Sequence, residues 1–152
     1  VQHRLHQGSR KSRIEIIKEY GKISKINCCA GQLNQVFLNI ISNAIDALQN
    51  QPQPRTIVIR TEMKTAELKS HSKSQLSHCD RIVICIADSG PGMTEDVRKR
   101  LFDPFFTIKP VGSGTGLGLS ISHQIVVEKH RGSLRCISAP GQGAEFWIEI
   151  PC

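Results

Sequence analysis

The sequence predicts an α/β fold, a two-layer sandwich in which a mixed β-sheet is covered on one face by helices. Three observations predict it. Residues 32–50 carry apolar side chains at helical spacing for over four turns. Short Ile- and Val-rich runs, separated by Gly- and Pro-containing turns, read as strands. The two kinds of segment interleave, so helices and strands must share one core. The chain has 152 residues, enough for one ordinary domain. A domain of that size buries roughly 70% of the surface its unfolded chain exposes. An apolar content of 39% argues against disorder. No apolar run approaches the ~20 residues needed to cross a bilayer.

The elements follow in order. RIEIIKEYG (13–21) and KISKINCC (22–29) read as a pair of strands divided by Gly21. In 32–50, QLNQVFLNIISNAIDALQN, the apolar positions are 33, 36, 37, 40, 41, 44, 45 and 48, and QPQP stops the helix. RTIVIRTEM (55–63) is a strand. Residues 64–80, rich in Lys and Ser, read as a polar insertion. RIVICIAD (81–88) is almost wholly apolar, as a strand in mid-sheet should be. TEDVRKRLF (94–102) is a short helix with Thr94 as N-cap. Residues 103–115 form a long loop, and loops of that length in compact domains are commonly functional. GLGLSISHQIVVEKH (116–130) is a second long helix ended by Gly132. SLRCISA (133–139) and AEFWIEI (144–150) form a hairpin around PGQG.

Charge and cysteines exclude several function classes. The net charge is +7. The excess lies in residues 1–25, with seven Lys/Arg against two Glu, and in 63–81, with four against two. A nucleic-acid reader spreads basic residues over one face among aromatics, and only 5% of this chain is aromatic. Nucleic acid is therefore not the expected partner, nor is a membrane. The six cysteines include an adjacent pair and no CxxC, which reads as thiols rather than a disulfide framework. His71 and His78-Cys79 have no second ligand pair, so no zinc site is expected. The start, VQHRLHQGSRKSR, has no apolar leader and no Met, and reads as the cut end of a longer protein. Residues 1–12 are then a basic leading segment from an upstream linker or helix, and 13–152 the domain itself.

Four segments carry chemistry. On the first helix Asn39, Asn43 and Asp46 fall within about 60° of one another, away from the apolar stripe. Amide oxygens there are hard ligands suited to Mg²⁺. Asp88-Ser89-Gly90-Pro91-Gly92-Met93 places a carboxylate at the end of a buried strand, able to accept from an exocyclic amine such as adenine's. Its glycines permit close backbone approach. Gly112-Ser113-Gly114-Thr115-Gly116-Leu117-Gly118-Leu119 opens a helix with four glycines, a backbone cradle for phosphate. The run has no GKS or GKT, so it is not a P-loop. No strand precedes it directly, so it is not a Rossmann turn either. Phe102-Asp103-Pro104-Phe105-Phe106-Thr107-Ile108-Lys109 reads as a lid, anchored by aromatics, with Lys109 reaching a terminal phosphate.

Together these segments resemble the ATP-binding catalytic domain of bacterial sensor histidine kinases. That domain belongs to the superfamily shared with gyrase, MutL proteins and the ninety-kilodalton heat-shock chaperones. The matching order is NQVFLNIISNAIDAL, DSGPGM, LFDPFFTIKP, GSGTGLGLSIS and GSLRCISAPGQGAEFWIEIP, over about residues 13–151. The resemblance implies the Bergerat-type ATP-binding fold, with ATP and Mg²⁺ as cofactors and a lid over 103–115. It implies that Asn43 coordinates Mg²⁺, that Asn39 faces the phosphates, and that Asp88 bonds the adenine amine. Gly90, Gly92 and Met93 then shape the base pocket. Phe105, Lys109, Gly112, Gly114, Thr115, Gly116, Leu117 and Gly118 belong to the lid and the phosphate cradle, and Asp46 to the cofactor-binding set. Asn39 and Lys109 are the expected catalytic residues.

The hydrolysing relatives keep a Glu at the place of Asn39. An Asn takes up no proton near neutral pH, which favours phosphoryl transfer over hydrolysis. The family also often has Thr or Ser in place of Ala144. His3 and His6 lack the His-acid-Pro context of a phosphoacceptor. The acceptor is expected on an upstream dimerisation domain of a homodimeric kinase. A response regulator receiver domain would take the phosphate next. The domain is expected in the cytoplasm. Two other readings stay open, an anti-sigma-factor-type serine/threonine kinase and a non-catalytic nucleotide-sensing module of the same fold.

Overall fold

The computed structural model describes residues 13–65, 79–109 and 114–152. The leading segment 1–12, most of the polar insertion with His71 and His78, and Gly112 lie outside the described residues. Strand β1 (Glu15–Tyr20) leads to helix α1 (Ala30–Leu48) and strands β2 (Thr56–Thr65) and β3 (Cys79–Asp88). Helix α2 (Glu95–Arg100) follows, then α3 (Gly118–Gln124), which widens into a π-helical turn over Ile125–Lys129. Strands β4 (Ser133–Ser138) and β5 (Ala144–Pro151) close the chain.

The five strands make one sheet in the order β1-β2-β3-β5-β4. β1 runs parallel to β2, with α1 as the crossover, and every other pairing is antiparallel. This is the expected mixed sheet. The insertion is narrower than 64–80, because β2 runs on to Thr65 and β3 starts at Cys79.

α1 buries the stripe the spacing foretells: Leu33, Val36, Ile40, Ala44, Ile45 and Leu48. These pack on Ile57, Ile86, Phe146, Ile148 and Ile150 from one sheet face, and on Ile125 and Val126 from the π-helical turn. Alternation along β5 explains the choice. Residues 144, 146, 148 and 150 are buried, while Glu145, Trp147 and Glu149 point to the other face. Among the described residues, that second face carries no helix. Charged groups cover it: Glu149 meets Lys64, Arg81 and Arg135, and the Arg135 guanidinium lies 5.6 Å from the Trp147 ring centroid. Beneath them Val83 and Cys85 are fully buried.

Two expectations need correction. Residues 22–29 form no strand. The Gly21 N–H donates to the Thr61 C=O at the end of β1, and the chain then leaves the sheet for α1. Among the described residues β1 has a neighbour on one side only, and Ile26 alone of 22–29 packs on the core. Nor are all the cysteines thiols. Cys152 is disulfide-bonded, its N–H donating to the Asp80 C=O at 3.1 Å, while Cys28, Cys29, Cys85 and Cys136 are free. Residue spacing does not reveal that the last residue meets the start of β3. Burial pushes the Cys85 thiol up to about 11 and Cys136 to about 12, so neither ionises near neutral pH.

Candidate functional site

A cleft of about 570 Å³ opens between α1, the C-terminal end of β3 and the loop that leads into α3. Asp88, the last residue of β3, stands at one end, opposite Ala144 of β5. Burial raises its carboxyl pKa. Two backbone amides oppose that rise, Gly90 N–H at 2.8 Å from Oδ1 and the amide of Ala144. The lining beside the sheet is apolar, from Ala47, Met93, Ala144 and Phe146, with Val97 and Leu101 from the α2 side. A carboxylate at the edge of an apolar slot suits a flat ring carrying an amine donor.

The turn after Asp88 is held from several directions. Gly141 N–H donates to the Pro91 C=O at 2.7 Å, and Met93 N–H to Ser138 Oγ at 2.9 Å. Ser138 Oγ donates onward to the Gly143 C=O at 2.6 Å. Gly92 has φ +71°, and a Cβ there would lie 2.0 Å from the Ala139 carbonyl oxygen. Its glycine is dictated by the β4–β5 turn, not by a ligand's approach.

The opposite end is polar. Asn39, Asn43 and Asp46 all line the cleft from α1, as their helical angles require. Lys109 Nζ donates to Asp46 Oδ2 at 2.7 Å and to Asn43 Oδ1 at 3.4 Å. The base of the loop is clasped where Phe105 N–H donates to the Gly116 C=O at 2.9 Å. Gly116 sits at φ +70°, and a Cβ there would lie 2.4 Å from the Phe105 carbonyl carbon, so the clasp admits only glycine. Aromatic anchors hold the flank. Phe102 lies 5.2 Å from the His123 ring, and the Arg100 guanidinium 4.6 Å from Phe106.

Of the residues singled out from sequence, Asn39, Asn43, Asp46, Asp88, Gly92, Met93, Lys109, Gly114, Thr115, Gly116 and Gly118 meet in this one cleft. Gly90 is buried under Asp88 and serves it through its N–H. Leu117 lies outside the lining, and its N–H donates to Thr115 Oγ1. Phe105 does not line the cleft. The residue has φ +65° and is 74% exposed, and Phe106 lines the cleft. Ala47, Val97, Leu101, Leu119 and Phe146 were missed, while Ala144, singled out for its departure from the family's Thr or Ser, lines the cleft. Ala47 lies one turn beyond Asn43, so the helical period that found the amides could have found it.

The family model for the histidine kinase-, DNA gyrase B- and HSP90-like ATPases matches residues 30–152. The chain belongs to this ATPase family. Among its relatives, the sensor kinase CckA of Brucella abortus is 35% identical over 140 residues, covering 91% of this chain and 14% of CckA. The signal transduction histidine-protein kinase AtoS of Escherichia coli is 36% identical over 142 residues, covering 93% of this chain and 20% of AtoS. The chain thus spans a fifth or less of these two relatives' length. The catalytic domain of histidine kinase ThkA matches with a TM-score of 0.70 at 27% identity, over 93% of this chain and 82% of that one. ThkA in complex with response regulator protein TrrA matches with a TM-score of 0.65 at 26% identity. In this family the fold is therefore the expected sandwich, and the family is the one the motifs resemble. Asp88, the amide row of α1 and the glycine-bearing loop stand in one cleft of a nucleotide-binding fold.

Proposed function

We propose that this chain is the ATP-binding catalytic domain of a two-component sensor histidine kinase. It would transfer the γ-phosphate to a histidine on an upstream dimerisation domain. The observation that carries the reading is the single cleft that joins a half-buried acceptor carboxylate, an apolar slot, a row of amide oxygens and a lysine. Asp88 accepts from the adenine amine, and the slot takes the ring. Lys109 neutralises charge on the terminal phosphate, as positioning and electrostatics carry phosphoryl transfer.

The donor set suits Mg²⁺. Asn43 Oδ1 and Asp46 Oδ2 already converge on one ammonium, so the spot attracts a cation through hard oxygens. No group of three or more His, Cys, Asp or Glu residues forms a metal cage among the described residues. That fits an ion shared with phosphate oxygens. When bound, Mg²⁺ would supply charge neutralisation across the phosphates. Asn43 would hold it, and Asn39 offers no base for water.

The known partners of a relative support the remaining assignments. ThkA has been solved with a response regulator, so a receiver domain is the proposed phosphate sink. No helix among the described residues is long and apolar enough to cross a membrane. We place the domain in the cytoplasm of a homodimeric protein, with residues 13–152 as the catalytic unit, 1–12 as linker and 103–115 as lid. Calorimetry tests the first step: ATP should bind, and bind more tightly with Mg²⁺. The full-length protein given γ-labelled ATP should then carry an acid-labile, base-stable phosphate. An acid-stable label would assign a serine/threonine kinase, and ATP binding without any label a sensing module.

A further inference from the structure

The net positive charge of the chain is not spread evenly. All of it comes from residues 1–25 and 63–81, and the remaining stretches carry equal numbers of acids and bases. The fold brings these two stretches to one corner of the sheet. β1 ends at Tyr20, which pairs with Thr61 of β2, and β2 runs on past it through Met63 to Thr65. Thr65 pairs with Cys79, so both described ends of the polar insertion meet there. Ser24 Oγ donates to Met63 Sδ at 3.3 Å and holds the 22–25 segment against β2. Alternation along β1 then sorts the charges. Ile16, Lys18 and Tyr20 lie in register with Ile57, Ile59 and Thr61 on the helix-bearing face. Glu15, Ile17 and Glu19 take the other face, where Glu19 is bonded to Arg60.

The helices do not cover this corner. Tyr20 is 61% exposed, Ile23 46% and Met63 36%, and Lys18, Lys22 and Lys25 are exposed among them. A single exposed apolar side chain is ordinary, but three together, flanked by lysines, mark an interaction surface. Asp80, the acid of β3 at this end, lies 3.9 Å from Arg81 and leaves the lysines unopposed. The partner must offer negative charge and an apolar interior together. Nucleic acid supplies the charge, but its bases want stacking aromatics, and Tyr20 is the only aromatic in the patch. A bilayer of anionic lipid supplies both. We propose that this corner docks on an anionic membrane surface, with Tyr20, Ile23 and Met63 entering the headgroup boundary and Lys18, Lys22 and Lys25 meeting the lipid headgroups. The contact is with the surface, since no helix among the described residues is long and apolar enough to cross. Composition alone gives no reason to expect a membrane partner; the pairing of β1 with β2 does, by gathering the charge. Ile57 pairs with Asp88, and Met63 lies six residues further along β2. The corner therefore stands about 20 Å from the Asp88 end of the cleft, which stays open.

Co-sedimentation of the 152-residue chain with lipid vesicles tests the proposal. Phosphatidylcholine vesicles containing phosphatidylserine should bind the chain, and pure phosphatidylcholine vesicles should not. The binding should weaken as salt screens the charges. Lys18→Gln, Lys22→Gln and Lys25→Gln together should cut the partition onto anionic vesicles by roughly 100-fold, about fivefold per lysine. Tyr20→Ser with Ile23→Ser should cut it by about 10-fold and keep the salt dependence. These side chains are exposed and lie outside the cleft, so a Tm matching the wild type shows each variant folded. Equal binding to the two kinds of vesicle, or no binding to anionic vesicles in dilute buffer, would overturn the proposal. So would undiminished binding by the glutamine variant or by the serine pair. Retention of a single-stranded RNA oligonucleotide without retention on vesicles would assign the same corner to nucleic acid and overturn it too.

Discussion

The two ends of the cleft are built by different means. At the Asp88 end the groups are set mainly by main chain: the carboxylate ends a central strand, takes backbone amides, and leads into a turn tied to the β4–β5 hairpin by a backbone bond and the Ser138 hydroxyl. At the Lys109 end, side chains meet across a loop. Lys109 and Asp46 are 33% and 29% exposed and bonded to each other. Under the proposed nucleotide reading, the first end is already complementary to an amine-bearing ring. The second holds an internal ion pair, which on the same reading a polyphosphate would rearrange. Recognition of the base can therefore be stiff while the phosphate end adapts, and substitutions at the two ends should differ in size and in sign.

The largest effect is expected at the stiff end. In Asp88→Asn the amide oxygen is claimed by the Gly90 N–H, and the NH₂ is left facing another amine. ATP affinity should fall by about 100-fold, since a charged hydrogen bond is lost and a donor is set against a donor. Calorimetry measures this directly, and a loss below about fivefold would remove Asp88 from the base contact. At the other end, Asn43→Ala should cost about 10-fold with Mg²⁺ and nothing in EDTA, because the amide oxygen matters only when a cation shares it. An equal loss in both buffers would make Asn43 a structural residue.

Proton linkage sharpens the contrast further. Burial raises the Asp88 pKa in the free protein, and an amine donor would lower it again on binding. Adenosine affinity should therefore weaken a few-fold as the pH falls toward the carboxyl range, with an onset above that of an ordinary Asp. For stability the sign is opposite. A raised native pKa contributes stability while the group is protonated, and that contribution is lost as pH rises through the native pKa. Adenosine titrations across pH, with Asp88→Asn as the control, test the linkage. A flat profile in the wild type would contradict it.

What the sequence disclosed follows the same division. The α1 stripe, the motif order and the helix-covered sheet were legible because period, turn chemistry and Thr94 capping are local signals. Residues 22–29 look like a strand locally, yet pairing is a property of neighbours, and β1 pairs only with β2. That Phe106 and not Phe105 lines the cleft is set by the loop's path, with φ +65° at Phe105, which no composition rule foresees. The Ser122–Asn39 bond joins residues 83 apart in sequence. The widened helix at Ile125–Lys129 was equally hidden. It ends where His130 Nδ1 bonds the Ile125 C=O, while Nε2 accepts from the Cys29 N–H that opens α1.

The smallest effect belongs to Asp46. A partly exposed ion pair contributes about 0–1 kcal/mol, so losing it should hardly change stability. Its consequence for binding has a definite sign. Asp46→Asn removes an anion beside the polyphosphate and frees Lys109 to turn toward it. Both changes strengthen ATP binding in EDTA, by about 2- to 3-fold, and neither concerns adenosine. With Mg²⁺ the gain should shrink, because the cation already offsets the carboxylate. Should Asp46→Asn instead weaken ATP in EDTA, the Lys109–Asp46 pair would be a support for the phosphate end and not its competitor, and the two ends of the cleft would be alike after all.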